Sequence, residues 1–138
     1  MLSEWILQQS FSGKKVLELG AGTGLTGIVA SKCGADVLCT DGSESVISKI
    51  RSNFALNEVG GKAEILWWGE ENAILRETWD YILGADITYD DEICSSLAKT
   101  YALALRAGGI GILAATIRNE QTLEVFVREC GMTFYSEC

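Results

Sequence analysis

The chain of 138 residues has the length of a single domain, and we expect one domain over residues 1–138. With 48% apolar and 22% charged residues the composition is globular, and the longest apolar run, 110–117, is far shorter than the roughly 18 residues of a membrane helix. The net charge of −8 would repel a phosphate backbone, and the start of the chain does not read as a secretory leader, so membrane, secreted and nucleic-acid-binding proteins are not expected.

Cysteine and histidine usage excludes several kinds of site. The five cysteines are an odd number without a C-x-x-C pair, and the chain contains no histidine. We therefore expect no zinc or other metal site and no disulfide framework, and scattered thiols fit the reducing cytoplasm. Mechanisms that need a histidine base, such as Ser-His-Asp catalysis, are excluded.

The first half of the chain alternates short β-rich runs with longer helical patterns, which is typical of βαβ units and a parallel sheet. The spacing of Leu2, Trp5 and Ile6 predicts that the chain opens within a helix. After it we predict two strands and two helices in alternation, over 15–19, 25–33, 36–40 and 43–57.

The second half continues the same alternation. We predict strands over 63–68, 79–85, 109–116 and 132–135, and helices over 92–105 and up to residue 130. Asn119 is a candidate N-cap of the last helix. The run 109–116 is almost wholly apolar, which predicts a strand buried on both faces. The pattern as a whole predicts a doubly wound α/β fold.

A glycine-rich loop separates the first strand from the first crossover helix. Its sequence, E-L-G-A-G-T-G over 18–24, has the spacing G-x-G-x-G, with Leu25 where a dinucleotide-binding fingerprint would place its third glycine. Glycines here allow close approach of a ligand to the backbone. The spacing fits a ligand whose sulfonium and amino-acid end lie over the loop, although a tight strand-to-helix turn would use the same residues.

Two further residues lie at the carboxyl ends of neighbouring predicted strands. Asp41 ends the second strand, where an acid hydrogen-bonds ribose hydroxyls in nucleotide-binding sheets, and Trp68 ends the third, where an indole can pack on adenine. Alone, Asp41 also reads as a turn residue before Gly42, and Trp68 as a packed aromatic. Together with the loop they lie at the edge where open sheets bind ligands, which favours a binding site.

Over residues 3–134 the chain resembles the seven-β-strand (class I) protein-lysine methyltransferases. The resemblance is carried by the run 16–27, Asp41, the pair Trp68-Gly69 and the D-x-x-Y element at 86–89. Within these enzymes it is nearest to the branch that modifies translation elongation factors. The run 115–120 and Phe126 are most similar to the elongation factor 2 lysine methyltransferases of that branch.

The resemblance implies a Rossmann-like, mostly parallel sheet, the cofactor S-adenosylmethionine and a protein substrate, namely an elongation factor. It assigns lysine recognition and catalysis to Asp86 and Tyr89. It assigns cofactor binding to residues at the ends of the first four strands: Glu18, Gly20, Ala21, Gly22, Gly24, Asp41, Trp68 and Ala85.

The chemistry of the D-x-x-Y element is compatible with a lysine acceptor. The amine must lose a proton from a pKa of about 10.4 before it attacks, and Asp86 can accept its hydrogen bond and orient it beside the ring of Tyr89. The chain has no proline, whereas base methyltransferases commonly carry an N-P-P-Y motif at this point. Acids at 90–92 would attract a lysine-rich loop, although acids are also favoured at a helix N-terminus.

The pattern departs from the resembled family at both ends. Met1 falls inside the helix that follows the family's tryptophan-containing lid segment, and residues after 130 leave room for a sixth strand but not a seventh. The second hypothesis for a chain shortened in this way is a catalytically weak relative that only binds cofactor or a partner. A methyltransferase acting on a small molecule or RNA is a third reading.

Overall fold

The computed structural model describes residues 2–88, 91–116 and 120–130. In these residues a five-stranded, wholly parallel sheet has the order β3-β2-β1-β4-β5, as predicted for a doubly wound α/β fold. The strands are β1 Lys15–Leu19, β2 Asp36–Asp41, β3 Lys62–Ile65, β4 Tyr81–Ala85 and β5 Ile110–Ala114. The helices are α1 Leu2–Ile6, α2 Leu25–Lys32, α3 Glu44–Leu56, α4 Asp91–Leu105 and α5 Glu120–Cys130, with a short 3₁₀ helix at Ala73–Arg76.

The strand order reverses direction at β1, which pairs with β2 on one side and β4 on the other. Leu19, the last residue of β1, is in register with Thr40 and with Gly84. The carboxyl ends of these three strands therefore lie side by side, and the connections that leave them run to opposite faces of the sheet. A crevice at such a point is where open α/β sheets bind ligands.

The core lies on both faces of the sheet, because successive residues of a buried strand point to opposite sides. Leu17 and Ile82 pack with α4 and α5 on one face, and Tyr101 and Phe126 meet there edge to face at 5.9 Å. Val16 and Leu83, with other buried side chains, pack against α2 and α3 on the other face. The three central strands β1, β2 and β4 thus have the burial expected of a parallel sheet.

Two strands differ from their predicted extent. The third strand was predicted over 63–68 but is Lys62–Ile65; its last bond to β2 runs from the Leu66 amide to the Asp41 carbonyl (3.1 Å), after which the chain leaves the sheet. The fifth, predicted over 109–116 and buried on both faces, is Ile110–Ala114 and half-exposed, with Ile110 at 57%. Its exposure follows from its position, because in the described sheet it pairs only with β4.

Other predicted boundaries agree with the structure to within two residues. The 3₁₀ helix at Ala73–Arg76 was not predicted; the Asn72 side chain caps it by accepting the Ile74 amide at 2.9 Å. The predicted sixth strand at 132–135 and the cap at Asn119 lie outside the described residues. Among the described helices, none combines the length and apolar character needed to span a bilayer.

Candidate functional site

The glycine loop after β1 turns through three left-handed residues. Gly20, Gly22 and Gly24 have φ of 63°, 56° and 78°, a region that glycine enters without a steric penalty. A Cβ on Gly20 would lie 2.7 Å from Ile87 Cγ2 and 3.0 Å from a Trp68 ring atom, whereas a Cβ on Gly22 would meet nothing within 4 Å. The loop is therefore packed against other side chains at Gly20 and open at Gly22, where its backbone is accessible to a ligand.

Neighbouring elements hold this loop in place. The Ala21 amide donates to the Thr40 carbonyl at 2.9 Å, which ties the loop to the end of β2. Asn53 of α3 donates its side-chain amide to the Thr23 carbonyl at 2.8 Å. The backbone that faces the opening is thereby fixed before any ligand binds.

Glu18 lies beneath the loop and is 2% exposed. Its Oε2 accepts the Gly27 amide at 2.9 Å and the Cys39 thiol at 3.0 Å, and the Thr26 hydroxyl also bonds to the carboxyl group. Burial raises the pKa of Glu18 to about 7, and these hydrogen bonds offset part of that rise. The predicted cofactor residue is thus engaged with β2 and the first turn of α2, at the floor of the opening.

Asp41 makes two hydrogen bonds to the backbone at the edge of the sheet. Its Oδ1 accepts the Ser43 amide at 3.2 Å, a local turn contact, and its Oδ2 accepts the Gly22 amide at 3.2 Å. The half-buried carboxylate therefore joins the end of β2 to the glycine loop, and it also lines the adjacent cleft.

The indole rings of Trp67 and Trp68 border the site next to Asp41 and the glycine loop. Trp68 is half-buried and packs against Gly20, as its predicted place at the sheet edge requires. Trp67, which precedes it and was not predicted to bind the cofactor, is 58% exposed and lies beside Gly42. The chain leaves the sheet after Leu66, so both indoles, and not one of two alternating side chains, line the same cleft.

Asp86 follows β4 in a left-handed conformation with φ of 53°, which is uncommon for a residue other than glycine. Its amide donates to the Ala114 carbonyl and its Oδ1 accepts the Thr116 amide, both at 2.8 Å. Its side chain is exposed, and Ala85 before it is half-buried. Strained conformations of this kind cluster at functional sites. Tyr89, the other predicted catalytic residue, lies outside the described residues.

These residues border two clefts that share Gly20, Ala85 and Asp86. The larger, of about 500 Å³, is lined by Gly20, Asp41, Gly42, Leu66, Trp67, Trp68, Ala85, Asp86, Ile87, Glu92, Ile93 and Ser96. The smaller, of about 370 Å³, is lined by Leu2, Ser3, Glu18, Gly20, Ala21, Thr23, Leu25, Thr26, Ala85, Asp86, Ala114, Ala115 and Thr116. Gly24 lines neither; it packs on Ile50 at the back of the loop.

The lining suits an elongated ligand without phosphate. Three carboxylates line the larger cleft, and no Lys or Arg of the described chain lines either cleft. Such a surface favours positive charge. In the described residues no group of three or more Cys, Asp or Glu side chains is arranged to hold a metal ion.

Comparison with solved structures identifies the fold. A TehB-like S-adenosylmethionine-dependent methyltransferase from Corynebacterium glutamicum superposes with a TM-score of 0.70 over 93% of this chain and 71% of its own, at 22% identity. The sheet is therefore the Rossmann-like sheet of the class I methyltransferases.

Sequence comparison finds curated relatives with more similarity. The chain is 36% identical to the protein-lysine N-methyltransferase EFM3 of Saccharomyces cerevisiae over 90% of its length and 41% of the relative's. It is 38% identical to the EEF1A lysine methyltransferase 3 of Mus musculus (86% and 52%) and 33% identical to the calmodulin-lysine N-methyltransferase of Arabidopsis thaliana (88% and 43%). The chain thus spans roughly half the length of these relatives.

The match to a family model covers nearly all the described residues. The model described as "Lysine methyltransferase" matches residues 1–130, which include the glycine loop, Asp41, both tryptophans and Asp86. This chain is a member of the lysine methyltransferase family.

Proposed function

We propose that the chain forms the S-adenosylmethionine-binding core of a protein-lysine methyltransferase whose substrate is a translation elongation factor. The observation that carries the proposal is the meeting of two clefts at Asp86, with the glycine loop on one side and Asp41 with the tryptophans on the other. One elongated ligand can occupy both clefts, and its centre then lies beside an exposed carboxylate.

The lining fits S-adenosylmethionine part by part. In the larger cleft Asp41 would accept hydrogen bonds from the ribose hydroxyls, and Trp68, with Trp67 beside it, would pack against adenine. In the smaller cleft the loop residues Gly20, Ala21 and Thr23 would receive the amino-acid end, over a floor that contains Glu18. When bound, the cofactor supplies a methyl group already activated on a positively charged sulfur. The absence of lining Lys or Arg among the described residues agrees with such a cationic ligand.

Asp86 would hold the acceptor. The amide of Thr116 fixes one carboxylate oxygen at 2.8 Å, so the orientation of the group is set by the end of β5. A carboxylate in this place attracts a lysine ammonium and aligns it. Once the amine has released its proton to water, this alignment supplies much of what a displacement at an activated carbon requires. We assign Asp86 to positioning the amine and Tyr89 to the wall of the lysine channel.

The substrate class rests on relatives and on the resemblance of 115–120 and Phe126 to elongation factor 2 methyltransferases. The names of similar proteins specify EEF1A in one case and calmodulin in another. We propose an elongation factor, with elongation factor 2 as the first protein to test, and a cytoplasmic place of action where that factor works.

The first experiment is calorimetric titration of the chain with S-adenosylhomocysteine. We expect saturable one-to-one binding, weakened about tenfold or more by Asp41→Ala because a hydrogen bond to a charged group is lost. Asp36→Ala is the matched control, since it removes an exposed acid from the opposite end of the same strand. A folded chain without binding would overturn the cofactor assignment.

The second experiment measures methyl transfer to elongation factor 2, EEF1A and calmodulin by mass spectrometry. Asp86→Asn retains the acceptor for the Thr116 amide and tolerates the left-handed backbone, so it removes the charge alone. We expect it to bind S-adenosylhomocysteine normally and to lose transfer at least about a hundredfold. Binding without transfer to any protein would favour the weak relative, and transfer that survives Lys→Arg changes in the substrate would favour another acceptor.

A further inference from the structure

Helix α4 is hydrogen-bonded to Gly69, the residue that directly follows Trp67 and Trp68. The Gly69 amide donates to Thr100 Oγ1 at 2.8 Å, and Lys99 Nζ donates to the Gly69 carbonyl at 3.0 Å. Both polar backbone groups of one residue are therefore bonded to side chains from the middle of the same helix, about 30 residues further along the chain.

The geometry of this contact requires the residues that are present. Gly69 has φ of 87°, and a Cβ there would lie 3.0 Å from Ser96 Oγ and 3.1 Å from Ser96 Cβ. Thr100 is 0% exposed, and its hydroxyl donates to the Ser96 carbonyl at 3.0 Å. Because that proton is committed to its own helix, the Thr100 oxygen faces Gly69 as an acceptor only.

The tryptophans are thus anchored on both sides. Before them, the Leu66 amide donates to the Asp41 carbonyl at 3.1 Å, and after them Gly69 is bonded to α4. Only Trp67 and Trp68 lie between the two anchors. We call the two hydrogen bonds of Gly69 to Thr100 and Lys99 the clamp. Ser96, one turn before Thr100, lines the same cleft as the indoles, so the clamp lies at the wall of the site.

We infer that Thr100 is a positioning residue for the adenosine end of the ligand, acting through the backbone of Gly69 on Trp67 and Trp68. Lys99 supports it from the surface. The inference rests on the proposed function, since it assumes that the larger cleft holds the adenosine moiety. It assigns to Thr100 a role that needs no contact with the cofactor, since Thr100 lines neither cleft.

The test compares Thr100→Val with the wild-type chain in titrations with S-adenosylhomocysteine and with methylthioadenosine, which lacks the amino-acid end. Valine has the same shape but leaves the Gly69 amide without its acceptor, so we expect both ligands to bind about tenfold more weakly. Thr100→Ser restores the hydroxyl and should restore both affinities. Thr122→Val, at a buried threonine of α5 that lines neither cleft, is the control for lost stability.

A purely structural role would give a different result. Thr100→Val would then lower the melting temperature, as Thr122→Val does, and leave both affinities unchanged, which would overturn the inference. Wild-type protein that binds neither ligand would overturn the proposed function and this inference together.

If Thr100→Val does not fold, Lys99→Met tests the same clamp from an exposed position. Lys32→Met, at the end of α2, removes the same charge elsewhere. We expect Lys99→Met to weaken both ligands about two- to fivefold relative to that control. Equal affinities in the two variants would reject the clamp.

Discussion

The buried carboxyl group of Glu18 supports the glycine loop from beneath, through contacts with β2 and the start of α2. It accepts hydrogen bonds from Gly27, Cys39 and Thr26. It is 2% exposed, and this burial raises its pKa to about 7. The same surroundings, with the negative carboxyl beside it, raise the pKa of the Cys39 thiol above its usual range. Burial therefore disfavours the charged form of both groups in the folded chain.

This shift predicts a dependence of stability on pH. The pKa of Glu18 rises from 4.5 to about 7 on folding, so between these values the unfolded chain releases a proton that the folded chain retains. Stability consequently falls as pH rises through this window, by up to about 3 kcal/mol from this residue. We expect Glu18→Gln to flatten the curve of unfolding free energy against pH between about pH 4.5 and 7, measured by urea denaturation.

Glu64→Gln is the matched control, because Glu64 is an exposed residue of β3. Its curve should run parallel to that of the wild type. If the Glu18→Gln curve were also parallel, Glu18 would not be the group that couples folding to pH.

At the scale of elements, the first turn of α2 packs unusually close to the sheet. A Cβ on Gly27 would overlap Cys39 Sγ and would lie 2.9 Å from Glu18 Oε2 and 3.3 Å from Val37 Cγ1. Alanine is the better helix former by about 1 kcal/mol, but the space for its methyl group is absent. This close packing lets the Gly27 amide reach the buried carboxyl group.

We therefore predict that Gly27→Ala destabilises the chain by about 1–3 kcal/mol, despite the gain in helix propensity. Urea unfolding of Gly27→Ala, Cys39→Ala and the double variant measures the contact. Removing the Cys39 sulfur makes room for the new methyl group, so the double variant should be more stable than the sum of the two single changes implies. Strict additivity would show that Gly27 is not constrained by Cys39.

Periodicity predicted the elements well where local pattern and burial agree. The strand β1, and helices α2 and α3, are within one residue of their predicted bounds, because apolar runs and glycine boundaries determine them. The third strand ends earlier than predicted, and the chain beyond it is bonded to α4 through Gly69 and Thr100, a contact that no local pattern reveals. For the same reason Thr100 reads in sequence as an ordinary helix residue.

Within the site, the sequence predicted that Asp41 and Trp68 lie at one edge of the sheet, but not which groups the neighbouring side chains contact. Asp41 and Trp68 lie in the larger cleft as expected from the ends of parallel strands. The inward engagement of Glu18 depends on partners 9 and 21 residues away, and the exposure of Trp67 depends on where β3 ends. A doubled aromatic before a glycine was the available signal for Trp67.

At the scale of the whole molecule, the charge is unevenly placed around the sheet. The net charge is −8, and the two clefts at the switch point are lined by acids without basic side chains from the described residues. Basic residues line other depressions, such as Arg76 and Arg106 beside the 3₁₀ helix, and Arg51 and Lys62 beside β3. A cationic segment approaching the molecule is therefore drawn toward the clefts.

This distribution of charge predicts that salt lowers kcat/KM for the protein substrate and hardly changes the affinity for the cofactor. Raising NaCl from about 0.05 M to about 0.5 M shortens the range of surface charges to a few ångströms and should lower kcat/KM for a lysine-bearing protein about three- to tenfold. S-adenosylhomocysteine carries no net charge, so its affinity, measured by calorimetry, should change less than about twofold. Glu92→Gln, which neutralises an acid that lines the larger cleft, should reduce the salt effect on kcat/KM. A transfer rate that is insensitive to salt would mean that shape and backbone contacts, and not the acidic surface, select the substrate.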